Sequence, residues 1–308
     1  MTKPVEDKLD KIPILHHVIQ ICKKLKIPGL HGFSIYDLLE MYIIGIVKGA
    51  VTARAGGVAF SFFMALFPFL LFILTLIPYV PMDGFQTDFL NAIEGLMPPN
   101  TWSVVNTVIE DIAINRYGGL LSFGFVASIF LMTNGVNSIL SAFEYSYHIK
   151  EVRNVVRQYI VAMAMAIILS AILLINIAIN VYFALGIHDL IEKGWVSNEG
   201  FWLKIGGGVF FLVLVFVSVS FLYKYGTKKT INSTYLPGAL LTTLLTVVMF
   251  RMFAIYVVKF STYNELYGSI GTLLILMLFV WLNSIILLLG FELNASISSL
   301  KELHTQKK

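Results

Sequence analysis

Between Tyr267 and Ile297 the chain reads YGSIGTLLILMLFVWLNSIILLLGFELNASI, with more than twenty apolar or small residues before the first charge at Glu292. About twenty apolar residues carry a helix across the hydrocarbon core of a bilayer. A soluble domain rarely wraps that much apolar surface around one helix, so this stretch sets the solvent: the chain belongs in a membrane. Composition agrees. The 308 residues are 57% hydrophobic and 13% charged, with mean hydropathy +0.82. Globular chains carry about 25% charge.

Five further apolar runs precede this one. The expected fold is all-α, with six transmembrane helices at about 57–80, 118–140, 159–185, 205–223, 236–258 and 268–297. Together they form a membrane domain over 54–298, preceded by an N-terminal segment 1–53 and followed by a tail 299–308. Pro68 removes a backbone donor inside the first span and predicts a kink or break there. Pro237 suits the first turn of the fifth. Trp102–Ile114 reads as a short surface helix.

The N-terminal segment has no apolar core and no cleavage site of a signal peptide. Ile14–Ile27 forms a short amphipathic pattern ended by Pro28-Gly29. A second amphipathic helix opens at Ser34, with Asp37 three residues on as a shortened capping-box acid. Its apolar residues Ile35, Leu38, Leu39, Tyr42, Ile43 and Ile46 follow helical spacing. That helix lies along the membrane interface or packs on the bundle. His16 and His17 are adjacent, so they do not share a helix face and make no metal site.

Lysine and arginine set orientation. Seventeen of the 22 fall in the N-terminal segment through Arg54, after spans two and four, and in the tail, against four on the opposite side. Both termini are therefore expected in the cytoplasm, as in a multi-pass protein of the bacterial inner membrane.

Polar groups at membrane depth are the candidate functional residues, because burying them in lipid is costly. Arg251 sits fifteen residues into the fifth span, about 22 Å along it. It faces a polar cavity or snorkels to the outer surface. Asn176 and Asn180, one turn apart on span three, lie at a similar depth and would line the same cavity. Asn134, Asn137 and Asn283 lie in the cytoplasmic half, where each lines a pathway or makes an interhelical hydrogen bond. Arg54 and Glu292 both belong near the cytoplasmic boundary, as an ion pair, a gate, or groups that meet water singly. HExxH, GxSxG and Walker A motifs are absent, and the histidines lack ligand spacing. The expectation is no enzyme, no cofactor, no metal and no nucleic acid.

Three blocks, ARAGGVAFSFFMALFPFLLFIL, LPGALLTTLL and YGSIGTLLILMLFVWLNSIILLLGFELNA, together with FEYSYHIKEVRNVVRQYI after span two, resemble the YihY/BrkB family of bacterial inner-membrane proteins. The resemblance covers about residues 35–300. It implies a six-helix bundle. It also brings a ribonuclease label that no residue pattern here supports, and links to export of lipid-like or small anionic compounds. The expected function is an exporter or flippase-like transporter of such a compound, with membrane lipids as partners. The alternative is a scaffold whose basic cytoplasmic face binds anionic lipid or a protein.

Overall fold

The structure is a computed structural model; it describes residues 22–26, 33–79, 86–87, 90, 99–193, 197–228, 235–259 and 269–306. The His16–His17 pair, most of the Ile14–Ile27 helix and the end of the tail lie outside the described residues. The described elements are α1 (Ile35–Lys48), α2 (Val51–Leu76) with a 3-10 turn at Ile77–Tyr79, α3 (Pro99–Ile114), α4 (Gly118–Glu144), α5 (Val155–Glu192), α6 (Glu199–Tyr225), α7 (Tyr235–Lys259) and α8 (Ser269–Gln306).

Six of these, α2 and α4 to α8, are long and apolar enough to cross a membrane. The chain is an all-α, six-span membrane protein. Several helices outrun the apolar windows that announced them. α5 and α8 have 38 residues each, about 57 Å of helix, so they project well beyond a hydrocarbon core of about 30 Å. α2 begins at Val51, and of the kink or break expected at Pro68 the break is not there: the helix is continuous to Leu76. A proline inside a helix forfeits one hydrogen bond, and the turns on either side of Pro68 continue the helix without it.

α1 starts as its sequence proposes. Ser34 Oγ accepts from the Asp37 N–H at 3.2 Å, and the Asp37 carboxylate accepts from the Ser34 N–H at 2.7 Å. Aspartate thus completes the box that glutamate usually closes. Leu38 and Met41 of α1, with Phe33 just before the helix, pack with Leu293, Ile297 and Leu300 of α8. The neighbouring stripe Leu39, Ile43 and Val47 is exposed. α1 is therefore both packed on the bundle and uncovered along an apolar edge. Gly49 and Ala50 turn the chain into α2, with Ala50 in the left-handed region at φ 47°.

Each spanning helix packs on its neighbours in chain order, and α8 closes on α2 to complete a ring. The buried core of this ring lies at one end, hereafter the basic end, where α1, Arg54, Arg153 and Lys224 also lie. Its centre is aromatic. Phe143 of α4 stacks on Phe291 of α8 at 4.1 Å between centroids and meets Tyr223 of α6 edge-on at 5.6 Å. All three are completely buried. Eighteen residues make five turns of an α-helix and return to the same face about 27 Å away. On α4, α6 and α8 those positions are Phe125, Ile205 and Leu273, and they are 49%, 44% and 42% exposed. Three faces that meet at the basic end therefore stand uncovered at the far end.

Candidate functional site at the basic end

Arg54 occupies the first turn of α2, where the helix dipole disfavours a cation. Glu292 of α8 compensates: Arg54 Nη2 lies 2.5 Å from Glu292 Oε1. The side chains are 9% and 0% exposed respectively. Arg54 Nη1 donates to the carbonyl of Ala142 at the end of α4 (2.6 Å), while its Nε–H finds no acceptor. Ser146, in the connection from α4 to α5, donates to Glu292 Oε2 at 2.9 Å. His148 follows and donates from Nε2 to the Met41 carbonyl of α1 at 3.0 Å. Gly45 lets α1 approach this closely, because a Cβ there would stand 2.7 Å from Glu292 Oε2 and 2.8 Å from His148 Nε2. Burial, and secondarily the Glu292 carboxylate, push the Tyr42 phenol of α1 above its ordinary value.

The pair thus joins α1, α2, the α4–α5 connection and α8 through one buried carboxylate. Removing either partner of such a pair leaves an uncompensated charge, which is far costlier than the pair is stabilising. A groove of about 390 Å³ between α2 and α4 reaches it, lined by Arg54, Gly57, Ser61, Ser138, Ser141 and Tyr145. The Ser61 and Ser138 hydroxyls bond across the groove at 2.6 Å.

Two further clasps close the same end. Arg153 donates to the carbonyls of Tyr225, Gly226 and Thr227, the free acceptors at the end of α6. Glu144 lies 3.6 Å from it. Between α7 and α8, Gly238 and Gly290 bring the backbones together. A Cβ on Gly290 would fall 1.9 Å from Thr242 Oγ1, and one on Gly238 would fall 2.1 Å from the Gly290 oxygen. Asn294 uses both ends of its amide on α7, accepting from Gly238 N–H at 2.7 Å and donating to the Tyr235 carbonyl at 3.0 Å. Tyr223 Oη donates to the Leu287 carbonyl at 2.6 Å and accepts from Thr242 at 2.6 Å.

Among the residues expected from sequence, Arg54 and Glu292 meet. Arg251 and the Asn176–Asn180 pair take different surroundings among the described residues. Arg251 is exposed. It falls at helical spacing with the exposed residues Leu240, Leu244 and Ile255, which puts it on the outer face of α7, where an arginine snorkels. Asn180 donates to Asn176 Oδ1 at 3.1 Å and Asn176 donates to the Phe210 carbonyl of α6 at 3.0 Å, so these amides fasten α5 to α6. Asn283 bonds its own helix at Phe279. Asn134 is half-buried, and the half-buried Asn137 keeps its Oδ1 buried without a donor. Ser146, His148, Gly45 and Arg153 were not singled out from sequence. Three of them stand in YSYHIKEVR, a polar, ionisable run directly after a span, which was the available signal.

The family model for virulence factor BrkB matches residues 45–308. The chain belongs to this family. A Bacillus subtilis protein with the provisional name ribonuclease-like protein YfkH is 32% identical over 255 residues, covering 82% of this chain and 91% of that one. A UPF0761 membrane protein of Pseudoalteromonas translucida is 25% identical over 266 residues, covering 83% and 84%. A UPF0761 membrane protein of Xanthomonas axonopodis is 24% identical over 220 residues, covering 70% of this chain and 49% of that protein. No solved structure matches. In this BrkB-family chain the matched region takes in Gly45, the Arg54–Glu292 pair and every spanning helix.

Proposed function

We propose that this BrkB-family protein moves a lipid-like compound across the bacterial inner membrane, in a state closed at the cytoplasmic end and open at the other. The observation that carries the reading is the passage from buried Phe143, Tyr223 and Phe291 to exposed Phe125, Ile205 and Leu273 on the same three faces. A ring sealed at one end and uncovered at the other is one half of an alternating-access cycle. The cleft walls favour a lipid over a hydrophilic anion. A cavity of about 250 Å³ between α2, α4 and α5 is lined by Phe62, Leu66, Met132, Val136 and Leu169, with Ser170 among them. The excess of Lys and Arg at the basic end supports placing that end, and both termini, in the cytoplasm.

The ribonuclease-like name of the Bacillus subtilis relative is said of that protein and does not enter this reading. The exposed Leu39, Ile43 and Val47 stripe of α1 favours a second reading, a scaffold that rests on the membrane surface through that helix.

Transbilayer movement of fluorescent phospholipids in proteoliposomes tests the first reading. Wild type exceeds protein-free vesicles, and Ser170→Trp, which fills the apolar cavity, abolishes the excess. Rates equal to empty vesicles overturn transport of these lipids, and deletion of α1 alone then becomes the decisive experiment for the scaffold.

A further inference from the structure

The groove between α2 and α4 gathers hydrogen-bond donors that lack acceptors, and it lies at the basic end of two spans. We infer that it is a docking site for the phosphate of a membrane phospholipid, with an acyl chain lying along the outer face of α2. The inference does not need the transport reading, because a lipid held here is bound whether or not it moves.

The donors set the chemistry. A serine hydroxyl has one hydrogen to give. Ser170, Ser284 and Ser296 give theirs to the carbonyl four residues back in their own helix. The groove serines are placed differently. Ser61 and Ser138 share one hydrogen across the groove, so whichever hydroxyl accepts still has its own hydrogen to give. Ser141 accepts from the Gln158 side-chain amide at 2.8 Å and keeps its hydrogen too. Arg54 lines the same groove with a side chain 9% exposed. Its Nη1 and Nη2 hold Ala142 and Glu292, while its Nε–H is buried with no acceptor among the described residues. A buried donor without an acceptor is rare and points to a missing partner. No acidic side chain is among the described residues that line the groove, and both Glu292 oxygens are taken, by Arg54 and by Ser146. A ligand facing these surplus donors must bring several acceptor oxygens, as a phosphodiester does.

Position and shape assign that phosphate to a lipid. Arg54 stands in the first turn of α2, and Tyr145 directly follows the last residue of α4. From Arg54 the groove runs about 10 Å along α2 to Ser61. Its α2 wall includes Ala53, Gly57 and Phe60, all exposed, and the same helical spacing continues through the exposed Met64 and Phe67. The small residues stand beside the donors, where a Cβ on Gly57 would meet nothing within 4 Å. The large apolar ones follow over about the next 10 Å toward the membrane centre. A free phosphate would use the first part alone, whereas a phospholipid uses both. Tyr145, exposed at the mouth, has the apolar body and polar tip of a headgroup-level aromatic.

Native mass spectrometry of the full chain, purified in mild detergent and stripped of lipid, tests this. The probes are dioleoyl phosphatidylethanolamine, dioleoyl phosphatidylglycerol, dioleoylglycerol and inorganic phosphate. Because Glu292 offsets the charge of Arg54, the two phospholipids are expected to bind one to one with similar affinity. Dioleoylglycerol has the same chains without the phosphate and is expected to bind about tenfold more weakly, the value of one hydrogen bond to a charged group. Inorganic phosphate at equal concentration displaces neither phospholipid. Gly57→Leu places a side chain in the open space of the groove and abolishes the bound lipid. Ser61→Ala with Ser138→Ala removes both partners of their bond, weakens the phospholipids about tenfold and leaves dioleoylglycerol unchanged. If that double variant does not fold, Gly57→Leu carries the test. Several results overturn the inference: no one-to-one phospholipid complex, equal binding of dioleoylglycerol, displacement by inorganic phosphate, or full retention in Gly57→Leu. Binding of phosphatidylglycerol alone, the mark of a diffuse basic surface, does so too. Transbilayer lipid movement in proteoliposomes of the same variants keeps this site and the transport reading apart. Binding that Gly57→Leu abolishes, without lipid movement in wild type, removes the transport reading and keeps the site. Lipid movement in wild type, without preference for phospholipid over dioleoylglycerol in binding, does the reverse.

Discussion

Arg54 and Arg251 are both arginines inside spanning helices, and they have opposite fates. Arg54 is nine-tenths buried, paired with Glu292 and bonded to Ala142. Arg251 is exposed on the face that Leu240 and Leu244 also occupy. The difference is one of depth and neighbours. Arg54 lies where four elements converge at the basic end, and Arg251 lies on the outward face of α7, next to Phe250, which packs on Phe211 of α6 and Phe279 of α8. The glycines differ in their surroundings at both ends: a Cβ on Gly206 of α6 would fall 2.2 Å from the Phe183 ring, and one on Gly57 of α2 would meet nothing within 4 Å. Gly238 and Gly290 sit in backbone contact between α7 and α8, whereas a Cβ on Gly207 or Gly208 of α6 would meet nothing within 4 Å. One end of the molecule is built for close approach and mutual charge compensation. The other carries exposed apolar side chains such as Phe125, Ile205 and Leu273, as expected of a surface that meets lipid or cargo.

This contrast can be broken by substitution. Arg54→Ala is expected to have the largest effect, about 3–5 kcal/mol, because it leaves Glu292 buried and unpaired. Thermal unfolding in mild detergent measures it, and a cost below about 1 kcal/mol would mean that water already solvates the carboxylate. Gly290→Ala comes next, at about 1–3 kcal/mol from overpacking, whereas Gly207→Ala at the far end is expected to be neutral or to stabilise by about 0.5–1 kcal/mol. Equal effects at the two glycines would erase the distinction between their surroundings. Tyr42→Phe sharpens it by pH. The raised phenol keeps its proton in the folded state after the unfolded chain begins to lose it near the ordinary value of about 10. Its contribution is full below that value and lost as pH rises beyond it. The unfolding midpoint of wild type should therefore fall more steeply above about pH 10 than that of Tyr42→Phe. Arg251→Leu is expected to be the smallest, within about 0.5 kcal/mol and without effect on lipid movement. A clear loss of movement would return Arg251 to the pathway.

Much of the molecule was legible because a bilayer allows few solutions. An apolar run of sufficient length must be a helix, since no water is present to satisfy its backbone. The six spans, the Ser34–Asp37 cap and the short helix before Ile114 follow from rules that act within a few residues. The site was only half legible. Arg54 and Glu292 stand out as charges at span ends, and the YihY/BrkB resemblance was carried by the blocks that contain them. Arg251 misled because spacing along one helix gives the direction of a side chain only after the neighbours of that helix are known. Asn176 and Asn180 looked like a pathway for the same reason. A polar group in a span needs a partner, and sequence does not say whether that partner is a cargo or the carbonyl of Phe210.

By itself, then, the sequence determined the solvent, the number of spans, their helical form and the bias of charge toward one end, all of them local or compositional properties. Only the tertiary structure decided that the spans close into a ring in chain order, that the ring is sealed at the basic end by Phe143, Tyr223 and Phe291, and that Glu292 takes Arg54 and Ser146 as partners. Arg54 and Glu292 are 238 residues apart in the chain. The desolvation that makes their pairing compulsory arises only when α1, α2, the α4–α5 connection and α8 shut water out around them.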